Sequence, residues 1–291
     1  MTVRLWCPYN KSWDFAQVDV SSNPIDGPED ELIKVRNHSV KPDKKGEFVD
    51  RKYTDEEIDA IHAFACAKLT IELWEKYCKR KINWPWGSNS PNEKLNIVLY
   101  NNWIDASYQI HNNSILFGKT NNDTQYFCRS LDLVAHETSH AIIESLRPGI
   151  HESCGKDGMA VIEAIADLSA FFLKISNPEI SECLAQIKSN SLKQKSMITE
   201  FAWGFYHTNY GLRSILNKQS NNRDAYSISR AITHFIYQSI IEIAQHSTIP
   251  DNFYPNIERL ISATFNTFLI CDELNTPTYL KRLKYSLKQW N

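Results

Sequence analysis

The stretch LVAHETSHAIIE holds two histidines four residues apart, His136 and His140, with Glu137 directly after the first. On a helix, residues i and i+4 share a face, so both imidazoles can reach one zinc ion at about 2.0–2.1 Å each. Glu137 then sits where its carboxylate can reach a water on that metal without ligating it. The same residues also suit the polar face of a helix that does no chemistry, and the pattern alone leaves both readings open. A catalytic zinc needs a third protein ligand and an open fourth position. MAVIEAIADLSAFF offers a candidate, because Glu163 and Asp167 are again four apart and share their face with Ala160, Ala164, Leu168 and Phe171. Buried carboxylates are costly unless paired or metal-bound. Zinc on Glu163, with Asp167 accepting a hydrogen bond from a ligand histidine, satisfies both at once.

Positioning such a site requires rigid elements, and the chain supplies them in two styles. Residues 1 to 52 are loop-rich with short strand-like pieces, DFAQVDV and ELIKV. Thr54 and Glu57 have capping-box spacing at the start of a long helix that is apolar on two sides and therefore a core element. LNIVLY predicts a buried strand, and DASYQIHNNSILFGK a hairpin turning at His111 to Ser114. From Ser130 onward the pattern predicts helices over 130–146, 159–175, about 180–193, 197–218, 224–247, 255–270 and 276–289. The expected layout is a mixed N-terminal lobe, residues 1–146, followed by a helical C-terminal lobe, residues 147–291.

Composition narrows the function. The chain has 291 residues, 42% of them hydrophobic and 23% charged, with a net charge of −2. No bulk charge favours nucleic acid, and no apolar run is long enough to cross a membrane. Seven scattered cysteines form no Cys-x-x-Cys pair, so neither a thiolate zinc site nor a disulfide framework is expected. The first residues contain no apolar core of a secretory signal. The corresponding expectation is a cytoplasmic protein, or one exported without a cleavable signal.

LDLVAHETSHAIIE followed by VIEAIADLSAFF resembles the thermolysin-like zinc metallopeptidases, whose ligands are two histidines and a glutamate. The resemblance implies an α+β, two-lobed zincin fold with the active site between the lobes. It implies one zinc ion on His136, His140 and Glu163, Glu137 as general base, and Asp167 oriented on His136. The linker from His140 to Glu163 is a few residues longer than is usual there, and a looser RPGIHESCGKDG loop would absorb the excess. NNWIDASYQIHNNSILFG resembles the edge-strand segment that holds a substrate backbone by strand addition, with Asp105-Ala106 where the family has Asn-Ala. YGLRSILN resembles a segment whose arginine, here Arg213, contacts a substrate carbonyl. In DAYSISRAITHFIY, Asp224 and Ser229 match the family's pattern, but Tyr226 stands where a histidine donates to the oxyanion. A phenol can make the same donation, with His151, His207 and His234 as other candidates. Asp132 matches a calcium ligand of secreted members, but Lys174 stands where a partner carboxylate would be, so no structural calcium is expected.

The expected activity is therefore zinc-dependent endopeptidase hydrolysis. With no pro-segment in view, narrow specificity is expected, with delivery into a host cell as a toxin or effector as an extension. The competing reading is a zinc-binding interaction module that has lost turnover, favoured by the changed residue at Tyr226. A further alternative is a membrane-surface helix at TYLKRLKYSLKQW, with Leu280, Leu283, Leu287 and Trp290 as its apolar stripe.

Overall fold

A computed structural model of the chain describes residues 1–7, 12–21, 27–49, 53–88, 93–100, 102–119, 125–185, 194–196, 198–202, 212–216, 224–246 and 253–288. A two-stranded hairpin comes first, β1 (Thr2–Cys7) against β2 (Ser12–Asp19), then the short strand β3 (Ile33–Val35). Helix α1 (Asp55–Cys78) follows, and its start is fixed by a reciprocal cap. Glu57 N donates to Thr54 Oγ1 at 3.3 Å, and Thr54 N donates to Glu57 Oε2 at 2.7 Å. Such a cap contributes about 1 kcal/mol. The body of α1 is buried on nearly every side. Trp74 stacks on Phe265 with centroids 4.1 Å apart, and its Nε1 donates to Ser169 Oγ at 3.1 Å.

Strands β4 (Leu95–Leu99), β5 (Ala106–Gln109) and β6 (Ser114–Phe117) join β3 in a four-stranded sheet of order β3-β4-β6-β5. β4 runs parallel to both neighbours, whereas β5 pairs antiparallel with β6 and forms the sheet edge. The turn between them passes through Asn113 at φ 49°, a left-handed conformation that asparagine tolerates. Gly118 N donates to Asp105 O, and Lys119 N to Trp103 O, tying the approach to β5 against the end of β6. A Cβ on Gly118 would collide with the Trp103 carbonyl, so only glycine allows that closeness.

Helix α2 (Leu131–Leu146) begins at Ser130, whose Oγ accepts from Leu133 N. A one-turn helix, α3 (Ile150–Ser153), leads into α4 (Lys156–Ser176) and α5 (Pro178–Ala185). The two-residue strands β7 (Glu200–Phe201) and β8 (Arg213–Ser214) pair antiparallel, and α6 (Ala225–His246), α7 (Phe253–Leu269) and α8 (Thr276–Lys288) complete the chain. The result is a mixed α+β fold whose core runs from α1 through α2 and α4 to α7.

Three expectations change. The helix expected over 197–218 is replaced, among its described residues, by β7 and β8. Ala202 has φ 53°, and its N–H donates to Asp132 Oδ2 at 2.8 Å. That tertiary bond holds a backbone shape no helix permits. The strand-like pieces DFAQVDV and ELIKV fall on β2 and β3, with β1 added ahead of them, while residues 186–193 of the helix expected near 180–193 lie outside the described residues. The linker expected to be loose contains α3 instead. In α8, Tyr279 and Leu283 are fully buried and Leu280 and Leu287 pack against the core, so that stripe is occupied by the protein itself. Trp290 lies outside the described residues. Among them no helix is long and apolar enough to cross a membrane.

Candidate active site

α2 and α4 run antiparallel, with Asp132 facing Lys174, His136 facing Asp167, and His140 facing Glu163. The apolar residues of both helices point into the core, which leaves these polar side chains on the seam between them. His136 Nε2 lies 3.1 Å from His140 Nε2 and 3.4 Å from Glu163 Oε2, and His140 Nε2 lies 3.6 Å from Glu163 Oε1. A tetrahedral ion with ligands at about 2.0–2.1 Å separates its ligand atoms by about 3.3–3.4 Å. The triangle therefore has the size of a zinc site, and these three residues could hold the ion. Glu163 Oε2 is buried with no hydrogen-bond donor, which is the condition of an oxygen awaiting a cation.

Charge at the cluster points the same way. Burial would lower His136, but Asp167 and Glu163 beside it hold its pKa up at about 10. Burial pushes His140 down to about 3. Burial would raise Glu163, but His140 and His136 keep it down at about 2. Metal-free, the cluster balances its carboxylates by keeping a proton on His136. A divalent cation would do that work in its place.

Glu137 is on the same helix but turns toward β5. Its Oε2 accepts the Tyr108 N–H at 2.7 Å. Burial raises its pKa to about 7, with His136 pulling the other way, so it can both take and return a proton near neutrality. Strand alternation turns Ala106 and Tyr108 to the outer side of β5. Their N–H groups are used by Asp105 Oδ1 and Glu137, so the edge presents their carbonyls to the cleft. That cleft has a volume of about 420 Å³. The metal cluster forms its floor, β5 one wall, and Leu212, Arg213 and Tyr226 the other.

Residues 19–144 match the family described as thermolysin metallopeptidase, catalytic domain. Among solved structures, the precursor of protealysin, a metalloproteinase from Serratia proteamaculans, has a similar fold. Its TM-score is 0.56 at 14% sequence identity, and the match covers 94% of this chain and 84% of that one. The thermolysin-type catalytic-domain match thus covers the stretch with both histidines and Glu137, and the fold likeness extends beyond it. No curated protein matches it significantly in sequence. The family match stops at Glu144, ahead of Glu163, whereas the fold likeness covers 94% of the chain.

The remaining candidate residues fall into place unequally. Asp167 Oδ1 lies 2.9 Å from His136 Nδ1 and accepts from Arg213 Nη2 at 2.8 Å, so one oxygen serves both. Arg213 lies on β8 rather than on a helix, with its guanidinium 4.4 Å over the Phe201 ring. Asp105 and Ala106 line the cleft. Tyr226 also lines it and is 53% exposed, with its pKa raised first by Glu163 and then by burial, so its phenol keeps its proton. Asp224 Oδ1 accepts Ser227 N at 2.7 Å, so this residue caps α6. His234 contacts Ile215 O and Gln238, away from the cleft, and His207 lies outside the described residues. Lys174 Nζ is 2.7 Å from Asp132 Oδ1, so the ammonium sits beside the carboxylate likened above to a calcium ligand.

Sequence reasoning missed Glu144 and misjudged His151. Glu144 continues the four-residue stripe of His136 and His140, and that spacing was the available signal. The Tyr108 N–H on Glu137 had no signal at all, since it depends on where β5 is laid against α2.

Proposed function

We propose that this chain hydrolyses peptide bonds in an extended substrate, with His136, His140 and Glu163 holding one zinc ion. The observation that carries the reading is the ligand triangle beside a buried Glu137 whose pKa is about 7. Zinc, when bound, supplies Lewis acidity, polarising the scissile carbonyl and lowering the pKa of water toward about 7. Glu137 takes the proton of the attacking water and returns it to the leaving amine. The Tyr108 N–H orients its carboxylate throughout. Asp167 holds the His136 ring through Nδ1 and, by anchoring Arg213, keeps that guanidinium against the cleft. Tyr226 donates its phenolic hydrogen to the carbonyl oxygen as negative charge develops. The substrate lies along β5, donating its backbone N–H groups to the Ala106 and Tyr108 carbonyls. Asp105 can accept from a substrate N–H but cannot donate to a carbonyl, which supports narrow specificity.

The test is cleavage of a peptide library by wild type and Glu137→Gln, with zinc measured in both. Expected are zinc in both and turnover only in wild type. A zinc-loaded wild type that cuts nothing would favour the interaction-module reading, and an active Glu137→Gln would remove Glu137 as the base.

A further inference from the structure

His140 is backed by a carboxylate as His136 is, but through a second histidine. His140 Nδ1 lies 3.2 Å from His151 Nε2, and His151 Nδ1 lies 2.8 Å from Glu144 Oε2. The other oxygen, Glu144 Oε1, accepts the Gly149 N–H. All three side chains are largely buried, and Glu144 Oε2 faces the imidazole of His151. α3 is a single turn entered through Gly149 at φ 76°, and it carries His151 to this point. The added length between the two ligand helices thus has a defined fold and a defined contact.

We propose that Glu144 and His151 are positioning residues for the metal ligand His140, fixing its tautomer and ring plane. This rests on the zinc reading above. The hydrogens can be distributed in one way only. His140 turns Nε2 toward His136 and Glu163, so that nitrogen must be bare to ligate, and its proton is on Nδ1. His151 Nε2 must then accept, which puts the His151 proton on Nδ1, where it donates to the Glu144 carboxylate. Each link determines the next, and the Gly149 N–H keeps Glu144 from rotating away. With both ring nitrogens engaged, His151 is not the oxyanion donor.

The test is zinc affinity by chelator competition, with cobalt-substituted spectra of the same proteins. Loss of an outer partner of a ligand histidine typically weakens metal binding about 10–100-fold. His151→Phe, which fills the space but breaks both bonds, is expected to lose that much and to shift the cobalt spectrum. His151→Gln, whose amide can accept at one end and donate at the other, is expected to recover most of the affinity. Glu144→Gln should fall about 10-fold, because its amide can meet the His151 proton with another hydrogen. Affinity within twofold of wild type in His151→Phe and Glu144→Gln, with stoichiometric zinc in wild type, would overturn the proposal. A wild type that binds no zinc would overturn the metal site itself, so the two failures are distinct. Thermal melts of the metal-free proteins check folding, and Glu144→Gln remains decisive if the phenylalanine variant does not fold.

Discussion

At one end of the α2–α4 seam Asp132 faces Lys174; along the same seam His136 and His140 face Asp167 and Glu163. Both ends bury carboxylates between the same two helices, and they neutralise them differently. The Lys174 end carries its own cation, covalently attached and unable to leave. At the histidine end the chain's own Arg213 answers Asp167, and the cation beside Glu163 is a borrowed proton or one from outside. A site filled by the chain is fixed for stability, whereas one filled from solution keeps an open coordination position and can do chemistry.

The largest effect expected of any change at the histidine end is on turnover. Glu137→Gln should lower kcat about 10²–10⁴-fold while zinc content stays at one per chain, measured by peptide hydrolysis and metal analysis. Chelation should abolish activity and lower the melting temperature of wild type, while Glu163→Ala should bind little zinc and show no such shift.

At the other end, Lys174→Met leaves a buried carboxylate without its partner and should cost about 3–5 kcal/mol in urea unfolding. Adding Asp132→Asn, which keeps an acceptor for Ala202 N, should recover most of that loss. If the double variant is no more stable than the single one, the two side chains do not act as a pair, and the contrast between the ends fails.

Acid unfolding needs a third group assigned first. Burial, with the Arg129 guanidinium nearby, pushes His62 down to about 3. Its folded pKa lies below the unfolded value of 6.5, so the unfolded chain binds the extra proton. Stability from this group is complete above about pH 6.5 and is lost as pH falls toward 3. Between pH 7 and 5 the loss should be about 2 kcal/mol, and His62→Leu should flatten it in urea titrations. The smallest effect is at Arg213. Arg213→Lys should reduce kcat/KM about fivefold with zinc affinity unchanged, because Asp167 still holds His136.

Much of this seam was legible in the residues. The spacing of His136, His140, Glu163 and Asp167 gave both helices and the face they share, and Thr54 with Glu57 gave the start of α1. These signals are local, so a single sequence carries them. β7 and β8 were illegible because a distant carboxylate, Asp132, sets the backbone at Ala202 against the local helical pattern. Asp224 was singled out by its match to a family pattern, while its bond to the first turn of its own helix is a local capping signal that went unread. His151 was read as another candidate oxyanion donor because nothing in RPGIHESCGKDG announces that α3 will turn it onto His140.

The exposed edge of β5 has a consequence for what the enzyme meets in a cell or a mixture. A substrate that pairs with this edge as proposed must be a segment already stretched out and free of its own partners. A segment folded into its parent protein must first come loose, and the free energy of that opening adds to the barrier. Each additional 1.4 kcal/mol of local stability in the target slows cleavage about tenfold. Two identical peptide sequences, one in a frayed terminus and one in a packed helix, are thus different substrates. Cleavage rates along a target would chart where that target breathes.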